Sequence, residues 1–349
     1  MNIVLIILVF GVIVFFHELG HFIAAKINKI AVAEFSVGLG PAIFSKERKG
    51  TKYSLRLLPL GGYCMMLGED SASEDENAFN NKPVWVRMIV MAAGPLFNFV
   101  LAFLFGLVLI HYTGCDPAVL YGIEPNSAAE EAGVEVGDEI IRIDGKKIYN
   151  FRELQLHMAL LNPGDDVRLT LERPDGTCYE AVIHPNEENG GYYLGVHGGS
   201  VLSDGPLTTI KYAALECRYW AKTTVMSLRM IITGKVKTTD IMGPVGVGKE
   251  MNNILEEVKE ISPTKKELIL NTILNMLNWC ILLSVNLGIM NLLPIPALDG
   301  GRLLFLIIEA VRRKKIPQEK EAVVNLIGFA LLFILMIVVF FNDIKNIFF

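Results

Sequence analysis

Four apolar runs, each long enough to cross a bilayer, restrict what this chain can become before any motif is considered. They cover about Asn2 to Ala25, Val84 to Tyr112, Leu268 to Leu293 and Ala322 to Phe341. A helix rising ~1.5 Å per residue spans the hydrocarbon with about 20 residues. The stretches between them are too polar for lipid. With 52% hydrophobic residues and a mean hydropathy of +0.42, the chain fits neither an ordinary soluble enzyme nor a chain of spans alone. A multi-pass α-helical membrane protein of about four transmembrane helices, with soluble material inserted, is the expectation. The net charge of -5 is spread over both signs, which points away from nucleic acid. The five cysteines form no C-x-x-C pair, so neither a disulfide framework nor a cysteine zinc site is indicated. No Lys or Arg precedes the first run, which argues against a cleaved signal peptide.

The first run carries a group that lipid does not tolerate without cause: His17-Glu18-Leu19-Gly20-His21. Positions i and i+4 share a helix face, so His17 and His21 can hold one metal ion, with Glu18 beside them as general base. A charge at mid-membrane costs roughly 2.5 to 3.5 kcal/mol on insertion scales. The run from Ile30 to Pro83 is neither span nor domain. Tyr53, Leu55 and Leu57 alternate with polar residues and read as a strand, Phe35, Val37 and Leu39 as another, and Gly38-Leu39-Gly40-Pro41 as a turn. Glu69 to Asn81 reads as a solvated acidic linker. The second span is interrupted by Ala92-Ala93-Gly94-Pro95 and by Asn98, a polar group facing protein rather than lipid.

From Cys115 to about Ser200 the pattern becomes soluble α/β, with hairpin signals at Asp144-Gly145 and Pro174-Asp175-Gly176. The string from Asn126 to Ile141, with Ser127-Ala128-Ala129-Glu130-Glu131-Ala132-Gly133, resembles the PDZ domains of bacterial membrane and envelope proteases. Such a fold binds an extended peptide by strand addition. Pro206 to Thr233 reads as an amphipathic helix lying on the membrane, and Gly243-Pro244-Val245-Gly246 as a chain break. The third span carries Asn271, Asn275, Asn278, Asn286 and Asn291, a polar load that places it inside the bundle. It ends in Pro294-Ile295-Pro296 followed by Asp299-Gly300-Gly301. Nine Lys and Arg lie between Lys26 and Arg87, and six between Arg302 and Lys320. The positive-inside rule makes both loops cytoplasmic, with both termini and the inserted domain outside. The ends of spans one and three then share a side, and Asp299 joins His17 and His21 at one depth. Catalytic zinc usually takes three protein ligands and leaves one position open. Asn291 or Asn98 is the candidate donor to a substrate backbone.

Together, His17-Glu18-Leu19-Gly20-His21, Gly38-Leu39-Gly40-Pro41, Ala93-Gly94-Pro95-Leu96-Phe97-Asn98 and Asn291 to Gly301 resemble the site-2 intramembrane zinc metalloproteases, nearest the bacterial regulator-of-sigma branch. The resemblance implies Zn2+ held by His17, His21 and Asp299, Glu18 as the catalytic carboxylate, and a membrane-reentrant sheet at about 33–63. It further implies substrate contacts from Asn291. Tyr53, Leu55 and Leu57 are the strand positions expected to pair with an unwound substrate. The substrates implied are single-span proteins already trimmed outside by an upstream site-1 protease, of the anti-sigma factor type in stress responses, or remnant signal peptides. Branch members often carry two tandem PDZ domains, and this chain has room for one. The expected domains are 1–113 (zinc-binding helix, reentrant segment, second span), 114–200 (PDZ-like, extracytoplasmic), 201–265 (interfacial helix and connector) and 266–349 (third and fourth spans). The expected location is the cell membrane, with the active site toward the cytoplasm. The competing expectation is a non-catalytic membrane scaffold that binds peptide termini.

Overall fold

The structure, a computed structural model, describes residues 2–69, 73–162, 164–188, 191–234 and 242–348. Residues 70–72 of the expected acidic linker lie outside these. The elements in chain order are α1 (Asn2–Ile27), β1 (Val32–Arg48), β2 (Thr51–Met66), α2 (Val84–Thr113), β3 (Gly122–Ile123), α3 (Ala128–Glu131), β4 (Glu139–Ile143) and β5 (Lys146–Lys147). There follow α4 (Arg152–Met158), β6 (Val167–Glu172), β7 (Cys178–Ile183), β8 (Asn186–Glu188), β9 (Gly191–Tyr193), β10 (Val196–His197) and α5 (Pro206–Ile232). The last are α6 (Pro244–Ile261), α7 (Lys265–Leu292), α8 (Asp299–Arg312) and α9 (Gln318–Phe348). They form two compact units, Met1–Phe105 with Trp220–Phe349, and Gly106–Tyr219.

Among the described residues, four helical stretches are long and apolar enough to cross a membrane: Val4–Ile27, Val84–Thr113, Lys265–Leu292 and Glu319–Asn346. The last has the highest mean hydropathy, 3.0, and only 6% of it is buried in protein, as suits a helix bathed in lipid. The expected interruption of the second span is absent. α2 runs unbroken through Pro95 and Asn98, so the proline costs one backbone hydrogen bond without ending the helix. One apolar cluster, including Val9, Ile13, Leu101, Met251 and Met276, joins α1, α2, α6 and α7. Another, including Ala25, Ile30, Val32, Phe35 and Met91, joins α1 and α2 to the strands. The stretch read as a chain break proves to be the start of α6. Pro244 occupies its first turn, where a missing N–H costs nothing. Its own residues supply no side-chain cap. Asp343 of α9 does so instead, accepting from the amides of Gly243 (2.8 Å), Val245 (3.0 Å) and Gly246 (2.8 Å).

β1 and β2 pair as an antiparallel ribbon folded on itself. Glu34 to Val37 have partners on both sides, Lys52 to Leu55 and Met65 to Gly62, while Phe44 to Arg48 pair with Leu55 to Thr51. Four segments therefore lie side by side, in the order 62–66, 32–37, 51–56, 42–48. The Gly38-Leu39-Gly40-Pro41 signal is a bend within β1 rather than its end: Gly38 and Gly40 sit at φ +87° and +83°, where a side chain would be strained.

The second unit is a four-stranded sheet in the order β5-β4-β6-β7, with small pairs β3 with β10 and β8 with β9. Leu120, Ile140, Ile143, Leu154, Leu169 and Leu171 are among its core. Ser127 caps α3 by accepting from the Glu130 amide, and Gly133 follows at φ +75°. Two buried carboxylates tie the first half of α5 to α4: Arg218 donates to Glu153 at 2.6 Å, and Arg152 to Glu216. Within this unit Cys115 and Val201 exchange two backbone hydrogen bonds of 2.8 Å, which close off the segment between them.

Candidate metal centre

His17 and His21 stand one turn apart on α1, both buried, and Asp299 opens α8 opposite them. Asp299 Oδ2 lies 3.1 Å from His17 Nε2 and 3.3 Å from His21 Nε2, and the two nitrogens are 3.4 Å apart. Ligands held 2.0–2.1 Å from a tetrahedral zinc stand about 3.3–3.4 Å from one another. The triangle therefore has the dimensions of one face of such a site.

The hydrogen bonds around the donors point the same way. His21 Nδ1 is 2.9 Å from the carbonyl of Val90. A carbonyl only accepts, so Nδ1 carries the proton and the lone pair of Nε2 faces Asp299. Asn98 is wholly buried on α2, with its amide 3.3 Å from His17 Nδ1 and its Oδ1 without a partner. Turning that amide over places Oδ1 where the His17 Nδ1–H can donate to it, which satisfies both groups and frees Nε2. Ser284 Oγ of α7 donates to the Asn98 carbonyl at 2.8 Å. Two imidazole lone pairs and a buried, otherwise unbonded Asp299 oxygen then converge on one point, an arrangement that a bound cation relieves.

Glycines let the elements close around this point. A Cβ on Gly20 would sit 2.4 Å from the Ala93 carbonyl oxygen, and one on Gly94 would sit 2.2 Å from His21 Nε2. Across the site, Cβ atoms on Gly300 and Gly301 would meet the carbonyls of Leu293 and Ile295 at 2.2 and 2.3 Å, so α8 starts pressed against the Pro294-Ile295-Pro296 turn. Asn325 of α9 accepts from the Ala297 amide at 3.2 Å and secures a residue held at φ +74°.

Glu18 adjoins the donors and faces β2, where the Cys64 amide is turned toward its carboxylate and a Cβ on Gly62 would sit 3.6 Å from its Cγ. The strand edge beside the metal centre is thus the 62–66 segment. Asn291 of α7 reaches the site, with Nδ2 3.4 Å from His17 Nε2. The sequence-derived set His17, Glu18, His21, Asn98, Asn291 and Asp299 thus comes together. Tyr53, Leu55 and Leu57 do not join it. Tyr53 packs 5.9 Å from the Phe22 ring, Leu55 and Leu57 are half exposed, and segment 52–55 is paired along both edges. Val90, Gly94, Ser284 and Cys64 were not foreseen. Three of them act through backbone or through absent bulk, which a residue's type does not announce.

Membrane-length helices around a two-histidine, one-carboxylate cluster with an adjacent Glu are the arrangement expected of a membrane metalloprotease. The chain belongs to peptidase family M50, whose pattern it matches over residues 5–335. It is similar to a Clostridium acetobutylicum protein named as a zinc metalloprotease, at 36% identity over 98% of this chain and 97% of that one. It is 32% identical to the zinc metalloprotease RasP of Bacillus licheniformis and to the regulator of sigma-W protease RasP of Bacillus subtilis, each over 99% of both chains. The B. subtilis alignment runs over 436 positions, more than this chain possesses, so that relative carries segments absent here. The protein is a zinc metalloprotease of the membrane.

Proposed function

We propose that His17, His21 and Asp299 hold the zinc and that Glu18 is the catalytic base in hydrolysis of peptide bonds within or near the transmembrane segment of single-span proteins. The convergence of three lone-pair donors at zinc spacing beside Glu18, within membrane-length helices, carries this reading. Zinc bound there supplies Lewis acidity, which polarises the scissile carbonyl and acidifies water. Glu18 takes a proton from the attacking water as the C–O bond forms and gives it to the amide nitrogen as the C–N bond breaks. Asn291, at the rim of the donor set, holds the substrate carbonyl or its developing charge.

A substrate helix hides its peptide bonds and has to unwind before it reacts. The 62–66 segment, the ribbon edge nearest the metal centre, offers it replacement hydrogen bonds once the Cys64 and Met66 amides exchange Glu18 and Glu69 for substrate, so we assign to that edge the pairing role that the alternation pattern suggested for Tyr53, Leu55 and Leu57. The second unit is read as a PDZ-like domain outside the membrane. Its cavity of about 690 Å³, bounded by Leu154 and Met158 of α4 and by Tyr192, Leu194 and His197, accepts an extended chain end left by an earlier cut. The B. subtilis relative, a regulator of sigma-W protease by name, supports membrane-bound regulators of sigma factors as the substrate type.

The test is Glu18→Gln against wild type in liposomes with a single-span substrate, with zinc content measured on both. Cleavage should fall by a factor of about 10² to 10⁴ with zinc retained. A mutant that still cleaves at the wild-type rate overturns the assignment.

A further inference from the structure

The donor set joins two parts of the chain, and something has to hold Asp299 in register with the helix that carries the histidines. Asp299 is the first residue of a 14-residue helix whose buried face is small: Gly300, Gly301 and Leu306. Two glycines at its start give it little side-chain packing of its own. On the same face, at positions 302 and 309, stand two charged groups that the hydrolytic mechanism does not use. Arg302 pairs with Glu69, and Glu309 receives a two-pronged contact from Arg87 of α2, one prong at 3.2 Å. Residues 302, 306 and 309 follow the i, i+4, i+7 spacing of one helix stripe. They face a common cavity of about 220 Å³ that Glu69, Arg87, Arg302, Leu306 and Glu309 help to line.

The two pairs are not equivalent. Arg302 is one turn from Asp299, whereas Glu309 is nearly three turns away. Glu69 also accepts from the Met66 amide, at 3.4 Å through its other oxygen. Met66 ends β2, the strand that faces Glu18 at Gly62 and Cys64. One carboxylate thus ties the strand that positions the base to the helix that presents the third ligand.

We infer that Glu69 and Arg302 are positioning residues whose ion pair sets the place of Asp299 against His17, His21 and Glu18, and so sets how tightly zinc is held. This inference rests on the ligand assignment above. Arg87–Glu309 anchors the far end of α8 and has a smaller effect on the metal. Outer contacts that orient a metal ligand typically govern affinity by 10- to 100-fold.

The experiment is a chelator competition on the purified full chain in detergent, reading the zinc retained, with unfolding temperature measured in parallel. Arg302→Leu and Glu69→Gln should each weaken zinc retention at least tenfold, and Arg302→Lys should recover most of the loss. Arg87→Ala should lower the unfolding temperature and leave retention within about threefold. Glu69→Gln changes no shape, so it carries the test if Arg302→Leu fails to fold. Wild-type zinc retention in Glu69→Gln, while Asp299→Ala loses the metal, overturns the inference and spares the ligand assignment. Zinc held normally by Asp299→Ala overturns the ligand assignment itself.

Discussion

A methyl group at position 94 would lie 2.2 Å from the very nitrogen of His21 that faces Asp299. Gly94→Ala must therefore displace His21 or push α1 away from α2, and neither leaves the donor triangle at zinc dimensions. Metal analysis of the purified variant should show most of the zinc gone, with cleavage lost in parallel. Gly106→Ala, whose nearest neighbours stand at 3.4 Å, should keep both and serves as the control. At this scale the meeting of His17 with His21 was legible, because helical spacing alone puts them on one face. Asn98 was legible as a polar group that lipid would not accept. Gly94 was not, since its part depends on what stands opposite. The Val90 carbonyl and the Cys64 amide were hidden for a related reason: every residue but proline carries the same backbone donor and acceptor.

α6 shows how an element can be held by a residue far from it in sequence. Its first turn has no cap of its own, and the Asp343 carboxylate, about a hundred residues on, takes three of its amides. Removing that carboxylate leaves one buried and two partly buried N–H groups without it, at about 1–3 kcal/mol for a buried one that finds no substitute. Asp343→Ala should therefore accelerate amide hydrogen exchange at residues 243–247 well beyond that of α7, with zinc content unchanged. Exchange at the wild-type rate would show that the cap is dispensable. The Gly243-Pro244 pair reads as punctuation in the sequence, and punctuation marks a start as readily as a stop. The strands were legible by alternation at Tyr53, Leu55 and Leu57. Their pairing was not, because a strand with neighbours on both sides has the same period of two as one with a free edge.

Across the whole chain, the unit Gly106–Tyr219 has its own core, and within it Cys115 and Val201 bring together the two ends of the segment 116–200. Replacing residues 116–200 by a short Gly-Ser bridge should leave the other unit folded and its zinc bound, while any preference for trimmed substrates is lost. Metal analysis and a comparison of trimmed with untrimmed substrates check the two halves of that statement. Loss of zinc from the excised chain would show that the inserted unit supports the metal site. The insertion itself was legible as a shift from apolar to α/β composition. Its extent was not: it takes in the end of α2 and the first half of α5, whose buried partners Glu216 and Arg218 look in sequence like the polar face of a surface helix. The meeting of Cys115 with Val201 also bears on synthesis. His17 and His21 leave the ribosome long before Asp299, and a flexible loop of roughly a hundred residues between the two halves would cost about 4 kcal/mol to close. Once the inserted unit has folded with its ends together, most of that cost has been met by its own core. The late half of the chain then starts its search for the early half beside it, and the metal site matures as a local event rather than a distant encounter.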